Sequence, residues 1–374
     1  METHQTKLGY AEAGGIFMGR QIKSDFHKNH LISIIRDGIY PNQNIAKPLT
    51  GFKIIVDAGN GSGGFFVDHV LKPLGATTTG SQFLNPDGMF PNHIPNPEDP
   101  KAMASISEAV RKNKADLGII FDTDVDRAAF VDGSGNPINR NALVALAAAI
   151  TLEKYPGSWI VTDSITSEGL SWFIENQLGG HHHRYKRGYR NVINEGIRLN
   201  EKHKDCHLAI ETSGHAAFKE NYWLDDGAYL AVLLLVKMAR LKIQNKGAIE
   251  TLIKELQSPA ESLEFRIHIK AQDFIKSGSQ IIEALKELVE RTRGWSLTLP
   301  NYEGIRVSFK DEQTTGWFLL RLSLHDPVLP LNIESDISGG SKLIINQLLS
   351  FLNKYKDILD LTSLIEYSNA TVGK

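Results

Sequence analysis

Gly118-Ile119-Ile120-Phe121-Asp122-Thr123-Asp124-Val125-Asp126-Arg127 runs an apolar stretch into three acids at every second position. The apolar part reads as a buried strand, Asp116 to Phe121, so the acids stand at its carboxyl end, where open α/β sheets bind ligands. As the chain curls off the strand, this spacing can aim three carboxylates at one point. At about 4 Å, each pair would repel by roughly 4 kcal/mol at a surface-like dielectric of about 20. The trio must therefore splay into water or hold a hard, oxygen-liking cation. A calcium loop of EF-hand type needs glycine at the sixth place and glutamate at the twelfth, where Arg127 and Gly133 stand, so that type is excluded. The expectation is a divalent-metal site on Asp122, Asp124 and Asp126, with magnesium the ion and a phosphorylated small molecule the ligand.

Working outward, strand and helix patterns alternate. A strand is predicted over Phe52–Val56, running into the glycine-rich turn Asp57 to Gly64 and a helix over Phe65–Leu74. Downstream follow a helix over Ala142–Leu152, a strand over Trp159–Thr162 and a helix over Glu168–Gln177. The long apolar helix Asp226–Leu241 and a helix over Ala248–Leu256 come next. Pro156-Gly157 and Pro259 punctuate this run. Beyond Pro259 the pattern changes to strands over Ser262–Ile269, Gly304–Phe309 and Trp317–Leu324, with helices over Ser279–Arg293 and Lys342–Lys354. The predicted fold class is α/β: two mixed-sheet α/β domains followed by a smaller α+β C-terminal domain. The expected divisions are residues 1–50, an N-terminal stretch with an amphipathic helix over Phe26–Arg36, then 51–155 with the metal loop, 156–258 and 259–374.

With 374 residues the chain is long enough for several cores, and 41% hydrophobic with 22% charged residues is ordinary for globular proteins. A formal charge of -2 supplies no global basic field, so nucleic acid is not an expected partner. No apolar run approaches the roughly 18 residues of a membrane span, so no membrane association is expected. Cys206 is the single cysteine, which excludes an intrachain disulfide and points to a reducing compartment. Met1 to Arg20 has neither signal-peptide nor transit-peptide character. A soluble cytoplasmic chain is expected, or a plastid one should a targeting segment lie upstream.

A second apolar strand enters a polar loop at Ala209-Ile210-Glu211-Thr212-Ser213-Gly214-His215. Glu and Ser suit sugar hydroxyls, and His suits a phosphate or a proton. With both loops in view, the chain resembles the phosphohexose mutases: phosphoglucomutase, phosphomannomutase and phosphoglucosamine mutase. Asp122, Asp124, Asp126 and Arg127 match their D-G-D-x-D-R metal loop, with Thr123 in place of glycine. Glu211, Ser213, Gly214 and His215 match their G-E-x-S-G-H sugar loop, and Asp226-Gly227 and Val56 to Gly61 fit two further motifs. The likeness runs from about Gly51 to Leu352.

The resemblance implies magnesium on the three aspartates, Arg127 as the catalytic cation, and Glu211, Ser213, His215 and Arg190 as substrate-binding residues. It also implies a phosphate grip by Arg321, Ser323 and His325, in a segment resembling R-x-S-G-T-E-P, where Leu324 replaces a glycine. The implied partners are a hexose phosphate and a hexose bisphosphate, and the implied reaction moves a phosphoryl group between C1 and C6. Gly59, Gly61 and Gly64 fit G-x-G-x-x-G, but the family does not use that turn for a dinucleotide. His181 to His183, beside Arg184, Lys186, Arg187 and Arg190, are expected to form a solvated basic loop or, on the functional reading, one that attracts a phosphosugar electrostatically. The family's serine segment, T-A-S-H-N-P-like, occurs nowhere in these 374 residues. Impaired catalysis and weak metal binding are therefore expected. The alternatives are a phosphatase of haloacid dehalogenase type, with Asp122 as nucleophile and Asp225-Asp226 as its distant acids, and a non-catalytic phosphosugar-binding protein.

Overall fold

The computed structural model describes residues 25–40, 45–310, 314–323 and 326–370. In chain order it begins with a helix over residues 25–39 (α1), strand Ile54–Asp57 (β1), helix Pro100–Asn113 (α2) and strand Leu117–Phe121 (β2). Strands Ala128–Asp132 (β3) and Pro137–Ile138 (β4), helix Arg140–Lys154 (α3), strand Trp159–Thr162 (β5) and helix Glu168–Trp172 (α4) follow. Next are His181–Arg184 (β6), Tyr189–Glu201 (α5), Cys206–Ile210 (β7), Ala216–Phe218 (β8) and Gly227–Ile243 (α6). The remainder is Glu261–His268 (β9), Phe274–Val289 (α7), Trp295–Leu297 (β10), Ile305–Lys310 (β11), Thr315–Leu320 (β12), Val328–Ser335 (β13), Gly340–Leu352 (α8) and Thr362–Asn369 (α9). These gather into two compact units, one of residues up to 156 with 210–254, the other of 157–209 with 255 onward.

The first unit is built on a mixed sheet in the order β1-β2-β3-β4. β1 runs parallel to β2, with Asp57 opposite Ile120, and β3 returns antiparallel, with Ala128 opposite Phe121. Every residue of β1, β2 and β3 is buried, as continuous apolar strands covered on both faces require. α2 lays Ala102, Met103, Ile106 and Val110 over Ile55, Ile120 and Val131. It starts where it does because Asp99 accepts hydrogen bonds from the amides of Lys101 (2.9 Å) and Ala102 (3.0 Å), and Pro100 supplies a preset first turn. α6 is apolar nearly all round and buried to match, and Asp226 caps it by accepting from the Tyr229 amide at 3.0 Å.

In the second unit β5 lies between β6 and β7, with β5 and β6 parallel. A five-stranded antiparallel sheet in the order β10-β11-β12-β13-β9 packs Ile267, Phe318 and Leu331 with Ile281 and Leu285 of α7 and Ile344 and Leu348 of α8. The fold class is thus the expected one, mixed α/β sheets with a C-terminal sheet domain.

Four segments depart from expectation; one is the helix predicted over Glu168–Gln177, which is α-helical to Trp172 and π-helical over Phe173–Gln177. The helix predicted over Phe65–Leu74 is a 3-10 turn, Ser62–Gly64, followed by a π-helical stretch, Phe66–Leu71. Just before that stretch, the carbonyl of Leu84 comes so close that a Cβ on Gly64 would lie 2.1 Å from it, so only glycine fits there. The helix predicted over Ala248–Leu256 is a 3-10 turn, Ile249–Ile253. His181 to His183 belong to β6 rather than to a solvated loop: parallel pairing with β5 buries His183, whose Nε2 is 2.7 Å from Glu195 Oε1. Among the described residues no helix is long and apolar enough to cross a membrane.

Candidate functional site

After β2 the chain reverses within the three acids, and the reversal rests on Val125, at φ 72°. A β-branched residue in the left-handed region costs roughly 1–2 kcal/mol. Asp122 holds it there: its Oδ1 accepts from the amides of Val125 (3.0 Å) and Arg127 (3.2 Å), and its Oδ2 accepts from Arg127 Nε at 3.0 Å. Asp122, only 2% exposed, is the floor of the loop. Asp122, Asp124 and Asp126 each present an oxygen, all within 4.8 Å of one another. Burial, then the neighbouring Asp126, pushes the Asp122 carboxyl above the usual carboxylate range despite Arg127. Asp126 Oδ1 is buried with no hydrogen-bond partner, and Arg127 Nε lies 3.8 Å away. A crowded, oxygen-only donor set with one orphaned buried oxygen fits a hard divalent cation.

The Glu211 loop is laced to this one within the same unit. Arg127 and His215 form an antiparallel bridge, and the Ala128 amide donates to the Gly214 carbonyl at 3.4 Å. Gly214, at φ 102°, would place a Cβ 2.7 Å from the Ala128 carbonyl oxygen, so only glycine allows the approach. Glu211 and Ser213 are buried, with Ser213 Oγ donating to Glu211 Oε2 at 3.3 Å. His215 Nδ1 sits 2.7 Å from Asp225 Oδ2 and 3.7 Å from Asp126 Oδ2. Burial opposes charge on this imidazole, but the hydrogen bond to Asp225 and the charges of Asp225, Asp126 and Glu211 outweigh it and raise its pKa. The first turn of α6 closes the third side: the Gly227 amide donates to the Val125 carbonyl at 3.0 Å, and a Cβ on Gly227 would lie 2.7 Å from the Arg127 carbonyl carbon.

The first unit therefore brings together Asp122, Asp124, Asp126, Arg127, Glu211, Ser213 and His215. It adds Asn96, which sequence reasoning passed over, and Asp225, which entered only as a distant acid of the phosphatase alternative. Asn96 Oδ1 accepts from Arg127 Nη1 at 3.2 Å, and Asp225 orients His215. Asn96 stands in the stretch Asn92 to Pro97, whose Asn and Pro content signals an irregular loop but not its neighbour.

Arg190, Arg321 and Ser323 lie in the second unit. Arg190 is exposed, its Nε donating to Tyr189 Oη at 3.1 Å. Burial draws the Arg321 guanidinium below its ordinary pKa; Glu303 and Glu264 counter this, and Arg187 and Arg266 add like charge. Three guanidinium groups in one neighbourhood suit an anion. Ser323 Oγ accepts from the Asp326 amide at 3.3 Å. His325, with Leu324, lies outside the described residues. The phosphatase alternative is not favoured, because Asp122 is enclosed and all its described partners are within its own loop.

Residues 36–135 match the phosphoglucomutase/phosphomannomutase alpha/beta/alpha domain II, and residues 139–258 match domain III of the same family. A phosphomannomutase/phosphoglucomutase of Pseudomonas syringae pv. tomato is 32% identical over 311 residues, 83% of this chain and 62% of that protein. A phosphoglucomutase of Neisseria meningitidis is 28% identical over 93% of this chain and 69% of its own length. Among solved structures, a phosphoglucomutase/phosphomannomutase family protein from Burkholderia thailandensis superposes with a TM-score of 0.69 at 26% identity, covering 87% of this chain and 65% of that one. The chain thus spans about three-fifths of the Pseudomonas relative. The acid loop falls inside the first matched segment and the Glu211 loop inside the second, and the chain belongs to the phosphoglucomutase/phosphomannomutase family of phosphohexose mutases.

Proposed function

We propose that the chain binds a hexose phosphate beside a magnesium ion and serves phosphoryl transfer between C1 and C6 of the sugar. The observation that carries this is the lacing of the two loops, which gathers an oxygen-only acid trio and a Glu-x-Ser-Gly-His loop in one unit. Asp122, Asp124 and Asp126 would hold the ion, which when bound offsets the charge of a transferring phosphoryl group. Arg127, gripped by Asp122 and Asn96, has no described partner on Nη2 and would offer that nitrogen to the same group. Glu211 and Ser213 would hold sugar hydroxyls, and His215 would donate to a phosphate oxygen. Arg190 would bind the substrate, and Arg321, Ser323 and His325 would grip the phosphate that does not react.

The phosphoryl-carrying serine has no counterpart in these 374 residues, so this stretch by itself should bind a hexose bisphosphate better than it isomerises a monophosphate. The domain divisions expected from the sequence, 51–155, 156–258 and 259–374, belong to the same proposal. The test is thermal denaturation with glucose 1,6-bisphosphate, with and without magnesium, beside an assay of glucose 1-phosphate isomerisation and phosphate release. Magnesium-dependent stabilisation by the bisphosphate is expected, with slow isomerisation. If no hexose phosphate shifts the melting temperature in magnesium, or if phosphate release dominates and Asp122→Asn abolishes it, the proposal fails.

A further inference from the structure

Gly59 and Gly61 belong to a turn with the spacing of a dinucleotide fingerprint, yet both are spent on close packing. The turn stands between the acid loop and the stretch Asn92 to Pro97. On one side a Cβ on Gly61 would lie 2.7 Å from the Thr123 carbonyl oxygen, which also accepts from the Ser62 amide at 2.9 Å and from Ser62 Oγ at 3.1 Å. On the other side a Cβ on Gly59 would lie 2.8 Å from Pro95 Cβ and 3.1 Å from His93 Cε1. A side chain at either position would push its neighbour away, so the glycines make the turn a brace between two loops.

His93 is the pin of that brace. Its Nδ1 lies 2.9 Å from the Ile94 carbonyl oxygen and its Nε2 3.0 Å from both oxygens of Asp57. Each ring nitrogen faces an acceptor, and only an imidazole protonated on both nitrogens satisfies the two. Asp57, fully buried at the end of β1, also accepts from the Gly59 amide at 2.9 Å and from Gln82 Nε2 at 2.7 Å, which fixes its carboxylate. Phe83 meets the imidazole edge to face, with ring centroids 5.4 Å apart. The Ile94 carbonyl engaged by His93 also accepts from the Asn96 amide, at 2.8 Å. Asn96 Oδ1 in turn accepts from the Glu98 amide at 3.0 Å and from Arg127 Nη1 at 3.2 Å. A chain of fastened groups thus runs from the end of β1 to the Arg127 guanidinium.

We propose that His93, locked by Asp57, is a positioning residue for Arg127: it fixes Asn96, and Asn96 and Asp122 hold the guanidinium at Nη1 and Nε and leave Nη2 for the phosphoryl group. With two of its three nitrogens committed to the protein, the side chain has little rotamer freedom left to lose when an anion binds. The service to phosphoryl transfer rests on the function proposed above; the hold on Arg127 does not.

The test reads the guanidinium directly. In full chain labelled with nitrogen-15 arginine, a held guanidinium gives two separate Nη signals and a freely turning one gives their average; Arg127 is identified by its absence in Arg127→Lys. The wild type should show the separate pair. His93→Gln, which keeps a donor for Asp57 but none for Ile94, should merge it, and Asn96→Ala should do the same. In saturating magnesium, calorimetry should find glucose 1,6-bisphosphate bound roughly tenfold more weakly by His93→Gln than by the wild type. That loss should vanish in an Arg127→Ala background, because the effect runs through that side chain. Should His93→Gln not fold, Asp57→Asn, which loosens the same imidazole from its other side, must merge the signals and weaken the bisphosphate alike. Separate signals that persist in these variants overturn the proposal, as does a merged signal in the wild type or a loss of affinity equally large without Arg127. If the signals behave as expected but the wild type binds no bisphosphate in magnesium, the mutase reading fails and the hold on Arg127 stands.

Discussion

The two units bury charge to opposite ends. In the first, the loops beyond β2 and β7 carry a surplus of one sign, with Asp126 Oδ1 left without a hydrogen bond. In the second, Arg306, 3% exposed, donates from Nη1 to the Ser164 carbonyl (2.8 Å) and from Nη2 to the Thr166 carbonyl (3.0 Å) and Glu168 Oε1 (2.8 Å). Its guanidinium stacks 3.6 Å above the Trp317 ring, and Trp317 Nε1 donates to Glu334 Oε2 at 2.8 Å. Arg306 Nε is buried without a hydrogen-bond partner among the described residues, but both terminal nitrogens are bonded and the ring and carboxylate beside them offset the charge, so here the protein itself supplies most of the complement. Charge in surplus, held by a strained turn, suits a ligand of opposite sign.

That contrast can be broken by removing one member from each side. Arg306→Met should be the most damaging, because it strands two buried carbonyls and takes a partner from Glu168; we expect a loss of about 3–5 kcal/mol. Chemical denaturation followed by tryptophan fluorescence reports it, since Trp159, Trp172, Trp295 and Trp317 all belong to this unit. A loss under about 1 kcal/mol would mean the network is not structural.

Glu334 comes next. Burial pushes its carboxyl up to about 7, against the pull of Trp317 and Arg306. A raised carboxyl is protonated in the folded state at pH values where the unfolded one is ionised. Stability should therefore decline as pH rises from the usual glutamate range through 7. The full cost is about 3 kcal/mol, and Glu334→Gln should flatten that decline and be the more stable chain at pH 8.

The first unit offers its own balanced pair. His93 Nε2 lies 3.0 Å from both oxygens of Asp57, which is fully enclosed, and that hydrogen bond raises the His93 pKa despite burial. Its stabilisation should be complete below the unfolded histidine value of about 6.5 and disappear as pH rises through the higher folded value. His93→Gln should cost roughly 2 kcal/mol at pH 6 and less at pH 9. An equal loss at both would show that the pair is never charged.

The smallest effect has the opposite sign. Asp126→Asn should stabilise the metal-free chain by up to about 1 kcal/mol, because it relieves repulsion at a partly exposed carboxylate. It should also abolish stabilisation by magnesium. A destabilised metal-free variant would argue that Asp126 is structural after all.

Much of this contrast was visible in the sequence. The run into Asp122 declared strand and turn together, with the three acids converging as expected, and β5 falls over the predicted Trp159–Thr162 because a short apolar run between turn signals allows little else. What stayed hidden depends on distant partners. Nothing local marks Asn96 as the neighbour of Arg127 or Asp225 as the neighbour of His215. The His-rich β6 reads as loop because its strand character comes from pairing with β5, which overrides a weak intrinsic preference. α2 was legible but passed over: Asp99-Pro100 is a cap followed by a helix-starting proline.

The hydrogen bond from Gly227 to Val125 makes one backbone amide a natural reporter. It belongs to the first turn of a long buried helix, so its hydrogen exchange should require either global unfolding or release of the Val125 carbonyl. If, as proposed, a cation binds and tightens the acid loop, the second route closes. Exchange at Gly227 should then slow by the full coupling between loop and helix, while amides midway along α6 keep their rates. One proton, away from any ligand atom, would thus measure how much of the binding energy is stored in the turn.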